Sequence, residues 1–218
     1  MDEPFIVNLA RDQAQDLPKA STYADLIKGG IFIVTGSNTG LGFEAASALV
    51  ATGAAKVILA VRSQQRGDAA VKNIEEITGF TGVAEVWLLN MASYDSIVAF
   101  GERVKTLDKI NGISLNAGVV QDQWTVADRG NEMTNMVNVL GTVLLAGLIL
   151  PTLRQMAAKL GRKTHLSLVG SGTAFQKESD IELEKAVASG RDVIDYFNDE
   201  KNMSISRLVI ISSLRAAN

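Results

Sequence analysis

Short apolar runs alternate with segments of helical period along most of this chain. Residues 31–35 are continuously apolar and largely β-branched, and residues 56–61, 84–89, 113–115 and 165–169 repeat the pattern. Between these runs apolar positions recur at helical spacing, which predicts helices over 40–53, 63–78, from Ser93 to about 107, and 131–160. Gly53 and Gly79 read as helix stops, Ser93 as an N-cap, and Pro151 as a break in the last helix. Strands that alternate with helices imply parallel pairing through helical crossovers, hence an α/β, Rossmann-type, doubly wound sheet. The strands lack an apolar/polar alternation, as expected when both faces of the sheet are covered. Ligands of such sheets bind beyond the carboxyl ends of the strands. Residues 1–29 form a polar leader with a short helix near 21–27, and the stretch after Phe175 is charged, with few apolar periods until Leu208.

The junction after the first run carries the strongest chemical signal. It reads Ile31-Phe32-Ile33-Val34-Thr35-Gly36-Ser37-Asn38-Thr39-Gly40-Leu41-Gly42, followed by the helical Phe43-Glu44-Ala45-Ala46. A strand that ends at a glycine, turns tightly and enters a helix brings free N–H groups and the positive helix end to one place, which suits a pyrophosphate. Gly36 permits the sharp turn, and Gly40 and Gly42 remove side chains where a phosphate approaches backbone. Ser37, Asn38 and Leu41 complete the candidate phosphate turn.

The other strand ends extend this site. The second closes on Val61-Arg62-Ser63; a cation where the adenosine ribose is reached suits a 2′-phosphate, favouring NADP over NAD, and Ser37 offers a further hydrogen bond. The third ends Leu89-Asn90-Met91, where a polar side chain meets the adenine edge. The fourth ends Asn116-Ala117-Gly118, small enough for backbone to pass close to the nicotinamide ribose.

Composition narrows the alternatives. A net charge of −3 argues against nucleic acid as a partner. The absence of cysteine excludes disulfides, thiol nucleophiles and Cys-based zinc sites. His165 is the single histidine and Asp122, Asp128 and Glu132 are dispersed, so no metal site is expected. Trp87 reads as core, Trp124 as a loop anchor or substrate rim, and Glu182, Glu184 and Lys185 as a solvated helix face. No charge falls between Glu132 and Arg154, but Asn138 and Thr142 interrupt this segment and Pro151 closes its apolar run, which falls short of the roughly 20 apolar residues a bilayer span needs. A helix buried in the α/β sandwich, or at a subunit contact, is expected instead. The first residues lack a signal-peptide pattern, so a cytoplasmic location is the expectation.

Taken together, Thr35-Gly36-Ser37-Asn38-Thr39-Gly40-Leu41-Gly42, Asn116-Ala117-Gly118 and Val137-Asn138-Val139-Leu140-Gly141 resemble the short-chain dehydrogenase/reductases, and most of all the retinol-dehydrogenase-like branch. The resemblance covers roughly 29–175 and, more weakly, reaches Arg207. It implies hydride transfer between NADP and a small-molecule alcohol or carbonyl. It also implies that Asn138 holds a water in a proton relay and that Ser171 hydrogen-bonds the substrate oxygen. Asn90 stands where the family usually has aspartate; an amide still hydrogen-bonds adenine, and a modest weakening is expected.

The family also uses a tyrosine followed four residues later by a lysine, a spacing that puts both on one helix face. No Tyr-x-x-x-Lys occurs in these 218 residues, whose tyrosines are Tyr23, Tyr94 and Tyr196. Lys201 is five residues beyond Tyr196, about 140° round a helix from it. The resemblance thus fades near Arg207, as a frameshift or misread splice junction would leave it. The expected organisation is a leader over 1–28, an incomplete dinucleotide-binding domain over 29–207 that stops after about the fifth strand, and a divergent tail over 208–218. Weak turnover, a non-catalytic dinucleotide-binding protein and a truncated product without function are the competing expectations. The open side of the fifth strand implies poor solubility or low stability, and a homodimer through the long apolar helix would be weakened.

Overall fold

The computed structural model describes residues 14, 16, 18–171 and 177–202. The expected tail over 208–218 and the junction at Arg207 lie outside them.

Strand β1, Ile31–Thr35, shows why both faces of the sheet must be covered. Ile33 is fully buried in one apolar cluster with Ile58, Ile97, Leu145 and Ile149. Its neighbours Phe32 and Val34 point the other way, into a second cluster with Val57, Leu59, Val50 and Ile74. Successive side chains of a strand face opposite sides, so a run apolar at every position is stable only between two layers.

Helices supply those layers. After β1 come α2 (Gly40–Ala51), β2 (Lys56–Val61), α3 (Gln64–Thr78), β3 (Ala84–Leu88), α4 (Tyr94–Val104) and β4 (Gly112–Leu115); a short α1 (Ala24–Ile27) precedes them. Further on lie the long α5 (Met133–Leu160), β5 (His165–Leu168), α6 (Lys177–Ala188) and α7 (Val193–Phe197). The five strands are all parallel and stand in the order β3-β2-β1-β4-β5. Ile33 pairs in register with Ile58 on one side and Ile113 on the other. The sheet is the doubly wound α/β arrangement expected from the sequence, and the order in which strands are added reverses between β1 and β4, where such sheets open a crevice for ligands.

Helix α5 differs from expectation in where it is irregular. Pro151 does not break it: Thr142–Leu160 is continuous α-helix. A proline deprives the carbonyl four residues back of its donor. Here that residue is Gly147, which is exposed, so water can take the donor's place. The irregular turn is instead a π-helix over Met136–Gly141, around Asn138. Leu145, Ile149 and Leu153 lie on the sheet, whereas Val143 and Leu150 are exposed. By length and composition this helix is apolar enough to cross a membrane, yet half of its most apolar stretch is buried against the rest of the fold.

Helices α6 and α7 form a small satellite around Ala186 and Phe197. Glu182 is not solvated as the charge pattern suggested: it is 8% exposed and paired with Lys185 at 2.6 Å. The satellite is tied to the main body by Asn198. Its Oδ1 accepts from the Glu132 backbone N–H and from Asn135 Nδ2, each at 3.0 Å, and its Nδ2 donates to Asn131 Oδ1 at 2.9 Å.

Candidate active site

The turn after β1 is held by its neighbour β4. Thr35 Oγ1 accepts from the backbone N–H groups of Asn116 and Ala117 at 3.0 and 2.9 Å, and Asn116 Nδ2 donates to the Thr35 carbonyl at 3.0 Å. Gly36 has φ +66°, and a Cβ there would lie 2.8 Å from the Ala117 Cα. Only glycine satisfies both conditions. A Cβ on Gly42 would lie 2.5 Å from Asn116 Nδ2.

The helix that follows begins without a side-chain cap. Helices α3 and α4 are capped by Ser63 and Ser93, which accept from the N–H groups of Arg66 and Ser96. Thr39, at the start of α2, makes no such bond. The first amides of α2 therefore keep their donors for an anion.

A cavity of about 600 Å³ opens at this point, along the carboxyl ends of β1 to β4. Of the residues expected from the sequence, Gly36, Asn38, Arg62, Asn90, Met91, Asn116, Ala117 and Gly118 line it together. Ser37, Gly40, Leu41 and Gly42 do not. The Ser37 side chain is fully buried and donates to the Val34 carbonyl at 2.8 Å, so its hydroxyl has no proton left for a phosphate. Leu41 is 75% exposed, on the outer side of α2, and Gly42 sits behind the turn, against Asn116.

Other lining residues went unrecognised in the sequence. Ser63, Gln65 and Arg66, from the first turn of α3, join Arg62 at the cavity wall. Arg62 and Arg66 are both exposed, and neither forms an ion pair among the described residues. The helix start at Ser63 was legible, and a cation in its first turn, beside Arg62, was the available signal. Met133 and Val137, one helical turn apart at the start of α5, close the far side. Asn90 folds back on its own turn: its Oδ1 accepts from the Ala92 N–H at 3.1 Å, and its backbone N–H donates to Ser96 Oγ at 2.9 Å.

A smaller cavity of about 200 Å³ adjoins the first and shares Gly118 and Val119 with it. Asn138 and Ser171 line it together with Val169 and Gly170, although 33 positions separate the two polar residues. The amide of Asn138 bonds twice to Val119, accepting from its N–H at 2.9 Å and donating to its carbonyl at 2.8 Å, which leaves one amide N–H and one lone pair. No tyrosine lines either of these cavities. Tyr23 borders a separate apolar cavity along Phe32, Val34 and His165, the Tyr94 hydroxyl accepts from Asn131 Nδ2 at 3.2 Å, and Tyr196 packs edge-on to Phe197. Among the described residues no cluster of three or more His, Asp or Glu side chains could hold a metal ion.

The glycine turn at Gly36, the uncapped α2 and the two exposed guanidiniums fit a dinucleotide that carries several phosphates. Comparison with known proteins shows the family. The profile of the short chain dehydrogenase family matches residues 30–177. The short chain dehydrogenase virL of Hypocrea virens is 38% identical over 167 residues, which are 76% of this chain and 49% of that protein. The short chain dehydrogenase sol3 of Alternaria solani is 35% identical over 199 residues, 91% of this chain and 70% of that protein. The chain thus spans about half of the first relative's length. Among solved structures, the NADPH complex of a protein assigned as a short chain dehydrogenase from Escherichia coli CFT073 aligns with a TM-score of 0.57 and 22% identity over 76% of this chain and 73% of that one, which shows the shared fold.

Proposed function

Because this chain belongs to the short-chain dehydrogenase/reductase family, we propose that its larger cavity binds NADP and that the smaller one receives an alcohol or carbonyl oxygen. The bound dinucleotide would supply hydride chemistry. The chain's own residues do the holding. The turn at Gly36, Asn38 and Thr39 and the uncapped start of α2 take the pyrophosphate. Arg62 and Arg66 take a 2′-phosphate, which favours NADP over NAD, while Asn90 and Met91 border the adenine. Residues 116–118 pass along the nicotinamide ribose, and Ser171 donates to the substrate oxygen. We assign the unit to residues 29–207 and the sequence to the retinol-dehydrogenase-like branch. A homodimer would use the exposed Val143 and Leu150 of α5.

The observation that carries the reading is the uncapped start of α2, which opens where two arginines, without an ion pair among the described residues, line the same cavity. Proton transfer is the weak point. Neither Tyr-x-x-x-Lys nor a tyrosine beside Ser171 is present in the described residues. That favours a second reading, in which these 218 residues bind dinucleotide with little or no turnover. Calorimetric titration with NADPH and NADH tests the first reading, with saturable binding that is tighter for NADPH expected. Arg62→Ala and Arg66→Ala should each weaken NADPH about tenfold and leave NADH unchanged. No saturation with either nucleotide would remove both readings. Carbonyl reduction at ordinary enzyme rates by the purified chain, across a panel of aldehydes and ketones, would remove the second.

A further inference from the structure

The hairpin that leads into α5 is fastened to the fold through Asp128. Residues 125–133 double back on themselves. Val126 and Glu132 pair antiparallel, the Met133 N–H donates to the Thr125 carbonyl at 2.8 Å, and the Ala127 N–H donates to the Asn131 carbonyl at 2.7 Å. At the tip, Asp128 Oδ2 accepts from the Tyr94 backbone N–H at 3.0 Å. That amide opens α4, has no acceptor within its own helix, and lies at the helix end that favours a carboxylate. The Asp128 N–H donates to the Ala92 carbonyl at 3.4 Å. Asn131 adds a second tie, from its Nδ2 to the Tyr94 hydroxyl at 3.2 Å. Between the two, Arg129 holds φ +54°, a left-handed conformation that a side chain disfavours, with its guanidinium 4.7 Å from the centroid of the Tyr94 ring. Such a conformation persists where the surroundings over-determine it.

The two segments that Asp128 joins both reach the larger cavity. Ala92, two residues before Tyr94, lines it, and so does Met133, whose N–H closes the hairpin. Asp128 itself stands outside the lining. We propose that Asp128 is a positioning residue for the dinucleotide: by bonding to the start of α4 it sets where Met133 stands relative to Ala92, and so the width of the cavity there. The inference rests on the dinucleotide reading above and goes beyond it, because Asp128 acts through the hairpin without touching the nucleotide. An asparagine at this position keeps an acceptor for the Tyr94 N–H, whereas an alanine keeps neither the bond nor the charge.

The test is calorimetric titration of the full 218-residue chain with NADPH, well below the melting temperature of every variant, across the double-mutant cycle of Asp128→Ala and Met133→Ala. Asp128→Ala is expected to weaken NADPH about fivefold to tenfold, and Asp128→Asn to stay within about threefold of wild type. In the Met133→Ala background, Asp128→Ala should change the affinity by less than about twofold, because the side chain it positions is gone. A purely structural role would lower the melting temperature and leave the affinity of the folded chain unchanged. That result would overturn the inference while leaving the cofactor assignment intact. So would two factors that simply multiply across the cycle, or an Asp128→Asn variant as weak as Asp128→Ala. Absence of NADPH binding by wild type would overturn the cofactor assignment and this inference with it. Should Asp128→Ala not fold, Asn131→Ala, which cuts the tie to the Tyr94 hydroxyl, enters the same cycle with the same expectation. Asn198→Ala is then its control, because it frees Asn131 Oδ1 and leaves both Asn131 Nδ2 bonds in place.

Discussion

At Gly42 an added methyl group would lie 2.5 Å from Asn116 Nδ2 and 2.6 Å from the Gly36 carbonyl oxygen. Neither neighbour can yield, because Asn116 is bonded to Thr35 and the Gly36 carbonyl belongs to the turn itself. Gly42→Ala should therefore push the turn open, cost about 1–3 kcal/mol of stability and abolish measurable NADPH binding. Unchanged binding with an unchanged melting temperature would show that the turn tolerates the methyl. A second residue-scale prediction concerns Glu85. The hydrogen bond from Lys56, at 2.8 Å, does most to hold its carboxyl below the ordinary glutamate range; a hydrogen bond from Trp87 Nε1, at 2.7 Å, adds to this. A lowered folded-state pKa means stability that is present above the ordinary value and is lost as pH falls through the lowered one. The pair is partly exposed, so the effect should not exceed about 1 kcal/mol. Glu85→Gln should melt lower than wild type at neutral pH, and the two curves should converge in acid. A gap that persists at low pH would trace the loss to packing around Trp87 and Arg103 instead.

At the scale of elements, three hydrogen bonds between the α6–α7 satellite and the start of α5 converge on the Asn198 side chain. Asn198→Ala leaves the Glu132 backbone N–H, in a residue 2% exposed, and the Asn135 amide without their shared acceptor. Each buried group left so costs about 1–3 kcal/mol. The expected result is a lower melting temperature and faster limited proteolysis within residues 177–202, with NADPH affinity retained because Asn198 does not line the cavity. Protection equal to wild type would mean that the Ala186–Phe197 cluster alone anchors the satellite. This clasp was not legible in the sequence. Asn198 read as one member of a charged stretch, and the residues it meets lie 63, 66 and 67 positions away. The strands and their helices were legible, because an apolar run buried on two faces and a helix buried on one carry different periods. The π-turn in α5 was not, since residues 136–141 are as apolar as the regular turn that follows apart from Asn138, and one polar residue does not signal a π-turn.

For the molecule as described, the decisive feature is the β5 edge of the sheet. Among the described residues β5 pairs with β4 alone, and His165 and Ser167 are exposed along it. Beside this edge the sheet face carries an apolar cavity of about 250 Å³ bordered by Tyr23, Phe32 and Ser167. A parallel edge that no described residue pairs, beside apolar surface, invites association. The 218-residue chain should therefore show concentration-dependent self-association in sedimentation velocity, and Ser167→Lys, which puts a charge on the edge, should reduce it. A monomer at every concentration, with a sharp and reversible thermal transition, would contradict this.

By itself the sequence determined the strand and helix periods, the glycine turn after β1 and the residue types at four strand ends, because these depend on local pattern and on what each side chain can do. It also showed that no Tyr-x-x-x-Lys lies within these residues. Tertiary structure alone decided which of those residues share a cavity. It turned Ser37 inward to Val34, placed Arg66 beside Arg62, brought Ser171 next to Asn138 and committed the Asn138 amide to Val119. The physical reason is that hydrogen bonds and cavity walls join groups far apart in the chain. Their partners are set by how helices pack on the sheet, a property no local window of residues contains.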